Sequence, residues 1–339
     1  MSVRVAVIGA GIMGSDHARV IAEDIPGATL QVICDVSEGA ARKVADACGA
    51  ADVASDGQAV IARDDIDAVL IASPDGTHAE LTLAALALGK PVLCEKPLAV
   101  TTGECLRVLK AESEHGAQLV QVGFMRRFDP SYVKMRDTLR AGTLGPAVMM
   151  HNFHRNVKAP RGFTGQMAIT NSAPHEFDAI RFVLDADVTA ISAFEPATEG
   201  LAGKPVVMVM ETSAGQLVTV EVNNNAAYGY DVRGELVGTK GSVSLGRSVS
   251  ATLDAALASS TEYAKDWRPR FADAYRLQNK AWIHTILTGT LAADASNAWD
   301  GYCATAIAEA GVQALATGQK TPVELVKRPE LYVGLEATA

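Results

Sequence analysis

Short apolar runs alternate with helical patterns through the first third of the chain. Val3–Ile8 is apolar at every position but Arg4 and reads as a buried strand, with a helical pattern from about Ile12. Residues 29–34 and 68–72 are the next apolar runs, followed by helical stretches from about Ser37 and over 77–88. Residues 91–94 lead into a helix from about Thr101, and the run 118–123 closes the series. Strands that alternate with helices imply βαβ units and a parallel sheet covered on both faces.

The pattern changes after about Arg127. Residues 131–141 read as a helix, 147–153 as a strand and 175–184 as a short helix, apolar at Phe177, Ile180, Val183 and Leu184. Four strand-like runs follow at 188–194, 206–212, 216–223 and 231–237, with a turn at Ser213-Ala214-Gly215 and another around Gly238 and Gly241. Strands in succession without helices between them predict a large, mostly antiparallel open sheet. Two helical patterns, about 271–287 and 300–317, finish the chain. The expected fold class is therefore α/β: a Rossmann dinucleotide-binding domain over residues 1–123, then an α+β domain over 124–339 for substrate binding and oligomerisation, with packing of its C-terminal helices back on the first domain left open.

Gly9-Ala10-Gly11-Ile12-Met13-Gly14 fits G-x-G-x-x-G between a strand and a helix, the context in which that spacing has physical meaning. Gly9 permits the tight turn, Gly11 lets a pyrophosphate approach the backbone, and Gly14 lets helix and strand pack closely. Asp35 follows the second strand, where a carboxylate accepts hydrogen bonds from the adenosine ribose hydroxyls and repels a 2′-phosphate; the expected cofactor is NAD. Two further segments follow buried strands: Ser73-Pro74-Asp75-Gly76-Thr77-His78 and Cys94-Glu95-Lys96-Pro97. Ligands of such sheets bind at the carboxyl ends of the strands, so Ser73, Pro74, Asp75, His78, Glu95 and Lys96 are expected beside the cofactor.

The bulk numbers narrow the function classes. The 339 residues suffice for two domains, and 48% hydrophobic with 20% charged residues is ordinary for a globular chain. A net charge of −9 with no Lys/Arg tract disfavours nucleic acid as a partner. No apolar run reaches the ~18 residues of a membrane span, and an apolar strand begins at once where a leader would carry a charged region, so a cytoplasmic protein is expected. The five cysteines, Cys34, Cys48, Cys94, Cys105 and Cys303, are odd in number and form no Cys-x-x-Cys pair; reduced thiols are expected, and no metal site.

Residues 9–14, 75–78 and above all Glu95-Lys96-Pro97 resemble the glucose–fructose oxidoreductase and inositol dehydrogenase family. His154-Arg155-Asn156, His175-Glu176-Phe177-Asp178, Tyr228-Gly229-Tyr230-Asp231, Asp266-Trp267 and Arg270-Phe271 extend the likeness over nearly the whole chain, toward its inositol dehydrogenases. The resemblance implies oxidation of a secondary hydroxyl on a cyclic polyol or sugar. It assigns His175 as the base and Lys96 as the group that hydrogen-bonds the reacting hydroxyl. His154 and Asn156 would hold neighbouring hydroxyls with Tyr230 nearby, and Arg127 and Asp266 would line the pocket. It also implies a homotetramer. In one place the sequence departs from the family pattern: Asn171 stands four residues before His175, where an Asp is usual. A neutral amide orients an imidazole but supplies no charge to the imidazolium formed on proton transfer. Asn171 is thus a candidate site residue, and the departure keeps open a different pyranose substrate, an NAD-dependent glycosidase or a noncatalytic NAD-bound sensor.

Overall fold

The computed structural model describes residues 2–198, 203–246 and 251–333. These divide into two compact units: 2–128 with 273–305 and 325–333, and 129–272 with 306–324.

The first unit is built on a six-stranded parallel sheet. In chain order its elements are β1 (Val3–Ile8), α1 (Ile12–Asp24), β2 (Ala28–Cys34), α2 (Glu38–Cys48), β3 (Asp52–Ala54), α3 (Gly57–Ile61), β4 (Ala68–Ile71), α4 (His78–Ala87), β5 (Val92–Cys94), α5 (Thr102–His115) and β6 (Val120–Val122). The strand order is β3-β2-β1-β4-β5-β6. The order reverses at β1/β4, which places the ligand crevice of such a sheet at the carboxyl ends of those two strands. β4, β5 and β6 are buried at every position, as parallel strands with both faces covered must be. The helices have local causes. The Ser37 hydroxyl caps α2, and Gly49 in the left-handed region at φ 71° ends it. Thr101 and Glu104 form a capping box on α5.

The second unit holds a seven-stranded sheet under helices. Its elements are α6 (Pro130–Arg140), β7 (Ala147–Arg155), a single turn α7 (Gly165–Met167) continued by a π-turn over Ala168–Ser172, α8 (Pro174–Leu184), β8 (Val188–Phe194), β9 (Val206–Thr212), β10 (Leu217–Asn223), β11 (Asp231–Gly238), β12 (Ser242–Ser244) and a separate hairpin of β13 (Thr252–Ala255) and β14 (Ala258–Thr261). Helices α9 (Trp267–Thr288) and α10 (Ala298–Thr317) and the short β15 (Thr321–Pro322) follow. The sheet order is β12-β11-β7-β10-β9-β8-β15. Every pair is antiparallel except β7 with β10, so the expected mostly antiparallel sheet contains one parallel seam at its centre.

Alternation decides which side chains reach the covered face. On β7, Met150, Asn152 and His154 are buried while their neighbours are half-buried or exposed; on β10 the buried set is Val218, Val220 and Val222. Helix α8 packs against β7 and α6, and all its residues except Arg181 are buried. Pro130 and Pro174 occupy first-turn positions of α6 and α8, where their missing N–H has no partner to lose.

Besides the short helices α3 and α7, five strands were not anticipated from sequence: β3, β12, β13, β14 and β15. They are two to four residues long and carry no apolar alternation that could announce a strand. No disulfide joins any of the five cysteines, and four of them are buried. Among the described residues no helix is long and apolar enough to cross a membrane.

Candidate active site

In the first unit, the turn between β1 and α1 has the shape of an anion cradle. Gly9 is at φ 107°, and a Cβ there would lie 2.3 Å from the Ala72 carbonyl oxygen. A Cβ on Gly14 would lie 1.8 Å from the Gly9 carbonyl oxygen, so this glycine is required by helix–turn packing. A Cβ on Gly11 would meet nothing within 4 Å: the space over Gly11 is open. Helix α1 has no capping side chain and no acidic residue in its first turn, which leaves its first N–H groups and positive dipole end to a phosphate. Ile12 and Met13 begin this helix, Ile12 being 60% exposed.

Asp35 lies just past β2. Its Oδ2 accepts from the Ala10 N–H and its Oδ1 from the Ser37 N–H, both at 2.8 Å. The carboxylate is thereby fixed beside the glycine turn, with further lone pairs open to hydroxyl donors. Val36, next in sequence, is 93% exposed, an apolar surface suited to a base. An uncapped helix end, an open glycine and a fixed carboxylate together fit a dinucleotide with free ribose hydroxyls.

The loop after β4 carries Ser73, Pro74 and Asp75. The Ser73 and Thr77 hydroxyls are 2.6 Å apart, and the Thr77 hydroxyl donates to the Pro74 carbonyl at 2.8 Å. His78 opens α4 and is turned inward, 1% exposed. Glu95 is also buried, and its Oε1 lies 2.8 Å from His17 Nε2. Lys96 follows directly, and its peptide bond to Pro97 is cis. Arg127 is buried in the same unit, its Nη2 3.0 Å from Asp300 Oδ1.

The second unit gathers His154, Asn156, Asn171, His175 and Tyr230. His154 and His175 rings are 6.5 Å apart, and the Tyr230 ring meets His154 edge-on at 6.3 Å. His154 Nδ1 lies 3.2 Å from Oε1 of Glu176, a fully buried carboxylate. Phe271 backs Tyr230 at 6.4 Å. The Asn156 amide donates to Asn224 Oδ1, and Asn224 Nδ2 donates to the Ser172 hydroxyl at 3.1 Å. Asn171 sits in the π-turn that leads into α8, and its Oδ1 accepts from the Thr170 hydroxyl at 3.0 Å. Asp266 binds Arg268 through both carboxylate oxygens.

Sequence reasoning missed the partners of these residues. His17, Asp300 and Asn224 stand far from them in the chain, and only the fold brings them in. Glu176 is the residue whose role the motif His175-Glu176-Phe177-Asp178 leaves unassigned; its signal in the sequence is a carboxylate on the inward face of a short apolar helix.

A Rossmann sheet with a dinucleotide cradle, joined in one chain to a sheet domain that gathers imidazoles and amides, defines an NAD-linked oxidoreductase. Residues 3–124 match the oxidoreductase family with an NAD-binding Rossmann fold, and residues 132–244 match the Gfo/Idh/MocA C-terminal domain. The chain belongs to the Gfo/Idh/MocA family. It is 43% identical to inositol 2-dehydrogenase 2 of Saccharopolyspora erythraea, covering 99% of this chain and 100% of that one. It is 40% identical to the inositol 2-dehydrogenase of Streptomyces avermitilis, over 97% and 96% of the two chains. Among solved structures, the myo-inositol dehydrogenase of Lactobacillus casei, in complex with NAD(H) and myo-inositol, superposes with a TM-score of 0.92. That chain is 28% identical, and the match covers 98% of this chain and 100% of it.

Proposed function

We propose that this chain oxidises one secondary hydroxyl of an inositol-type polyol to the ketone, with NAD as acceptor. The observation that carries the reading is end-to-end likeness to inositol 2-dehydrogenases, 43% identity across 99% of the chain. NAD, when bound, supplies a ring that accepts hydride. The chain supplies the proton chemistry: His175 takes the hydroxyl proton, and Lys96 hydrogen-bonds the same oxygen and favours its ionisation. Asn171 orients the His175 ring. His154, Asn156 and Tyr230 hold neighbouring hydroxyls, and Arg127 contributes to the substrate pocket. Glu176 supports His154 as Asn224 supports Asn156, and such supporting partners fix ring and amide orientation before substrate arrives. The cradle residues Gly9, Gly11, Ile12, Met13, Gly14 and Asp35 bind the dinucleotide, with Ser73, Pro74 and Asp75 shaping its nicotinamide end and the buried His78 and Glu95 acting only through the loop backbone they hold.

We further propose a cytoplasmic homotetramer. Five cysteines with no disulfide among them suit a reducing compartment. The uncovered face of the seven-stranded sheet suits a second copy of this chain: Phe194, Val207 and Leu217 are exposed on it, beside Arg155 paired with Glu221.

An initial-rate screen of myo-, scyllo- and chiro-inositol and glucose, with NAD and NADP side by side, tests the activity. NADH formation with an inositol is expected, with NAD preferred. Sugar release from a chromogenic glycoside with no NADH would replace the reading by a glycosidase. No turnover of any of these would leave a sensor. Lys96→Ala and His175→Ala are each expected to lower kcat by about 10²-fold or more.

A further inference from the structure

Two buried histidines hold the backbone on either side of Lys96. His17 lies on the inner face of α1, 1% exposed. Its Nδ1 is 3.0 Å from Asn279 Nδ2 on α9, and its Nε2 is 2.8 Å from Glu95 Oε1. With the Asn279 amide donating, the lone pair of His17 is on Nδ1, and the Nε2–H donates to the carboxylate. The other Glu95 oxygen accepts from the Lys96 N–H at 3.2 Å. Gly123 closes over the same carboxylate, since a Cβ there would lie 2.8 Å from its carbon.

His78 acts on the other side. Its Nδ1 is 2.7 Å from the Pro97 carbonyl oxygen and its Nε2 is 2.9 Å from the Ser73 carbonyl oxygen. Both partners accept only, so both ring nitrogens must donate, and the ring satisfying both is the imidazolium. It ties the loop after β4 to the loop after β5. Burial opposes that charge, but the nearby Cys94 sulfur and the two carbonyls outweigh it and raise the His78 pKa to about 10.

We propose that His17 and His78 are positioning residues for Lys96: one holds Glu95 through its carboxylate, the other holds Pro97 through its carbonyl, and the lysine between them is presented from a backbone fixed at both ends. Neither histidine need meet substrate. The inference rests on the reading that Lys96 serves the reacting hydroxyl. It goes beyond that reading in assigning the lysine's placement to α1, α9 and the start of α4.

The test is a double-mutant cycle on the full chain, with NAD and myo-inositol deuterated at the oxidised carbon. Active sites are counted by NADH binding, so that loss of folded protein does not register as loss of rate. His17→Leu and His78→Leu are expected to lower kcat per active site by about 10–100-fold and to raise the primary isotope effect. His17→Gln, which keeps a donor toward Glu95, should recover most of the loss. In a Lys96→Ala background the same changes should cost less than about 2-fold, because they act only through the lysine. Full additivity in that background overturns the proposal while leaving the role of Lys96 intact. Wild-type rates in Lys96→Ala alone overturn the role of Lys96 itself. Should the leucine variants not fold, ¹⁵N spectra of the wild-type histidines decide: one ring protonated on both nitrogens at pH 8 and one neutral ring carrying its proton on Nε2 are expected. A neutral His78 at that pH overturns the clamp.

Discussion

At position 171 an amide stands one helical turn before the imidazole of His175, within the π-turn that leads into α8. An amide holds a ring but cannot share the positive charge that ring acquires. Asn171→Asp is therefore expected to raise kcat near pH 7 by roughly 10-fold, less than the ~10²–10⁴-fold that a placed acid–base group itself contributes. A fall in kcat would show that the amide reads a substrate hydroxyl instead. His78 gives a second prediction at this scale. A histidine whose pKa rises on folding adds stability that is complete below its unfolded value and is lost as pH climbs through the folded one. With the folded value near 10, the urea midpoint should decline from about pH 6.5 to pH 10, and His78→Gln should remove that part of the decline. A midpoint with the same pH dependence in both proteins would contradict it. Candidate site residues could be named from sequence where a short local motif carries them, as at Gly9–Gly11–Gly14, Lys96 and His175. Their supports could not, because Glu95 meets His17 across 78 residues and Arg127 meets Asp300 across the sequence of the other unit.

Among the elements, the glycine turn separates binding from folding. Gly11 has extended backbone at φ −71°, which any residue adopts, and open space where a Cβ would go, so Gly11→Ala should leave the melting temperature within ~1–2 °C while weakening NAD binding by about 10²-fold or more. Gly14→Ala must push the Gly9 carbonyl away and should lower stability as well as affinity. Calorimetry of both variants with and without NAD checks the pair, and equal melting temperatures for the two would refute the distinction. The long elements could be read from sequence because each has one period over many residues. Strand β3, with the sequence Asp-Val-Ala at the sheet edge, offered no period to read. The parallel pairing of β7 with β10 was hidden for a different reason: adjacency of strands separated by α8, β8 and β9 is a property of topology, which alternation does not encode.

At the scale of the whole molecule, the uncovered sheet face sets the expectation for assembly. His151 is bonded to Thr219 at 2.7 Å, and Phe153 lies under the guanidinium groups of both Arg155 and Arg233 at 5.2 and 5.0 Å. These contacts order the face, and a two-fold axis would bring it against its own copy. Light scattering should return a mass four times 35.5 kDa, and Phe153→Glu should shift it toward smaller species. A wild-type mass of one chain removes the assembly claim and leaves the chemistry untouched.

The nucleotide-binding unit is not one stretch of chain. Its six strands lie within the first 122 residues, yet Trp282 and Ile283 of α9 sit in the same apolar cluster as Val3, Val5, Val7 and Ile21. The tail completes it further: the Tyr332 hydroxyl donates to buried Glu112 at 2.5 Å, and that carboxylate also accepts from the N–H groups of Leu119 and Val120. A ribosome adding about 5–20 residues per second needs roughly 3–13 s to go from residue 272 to the end. During that interval the Rossmann strands are out of the tunnel without their last helix or latch. The sheet encoded first thus acquires its last packing partners only after every strand of the second sheet has been made.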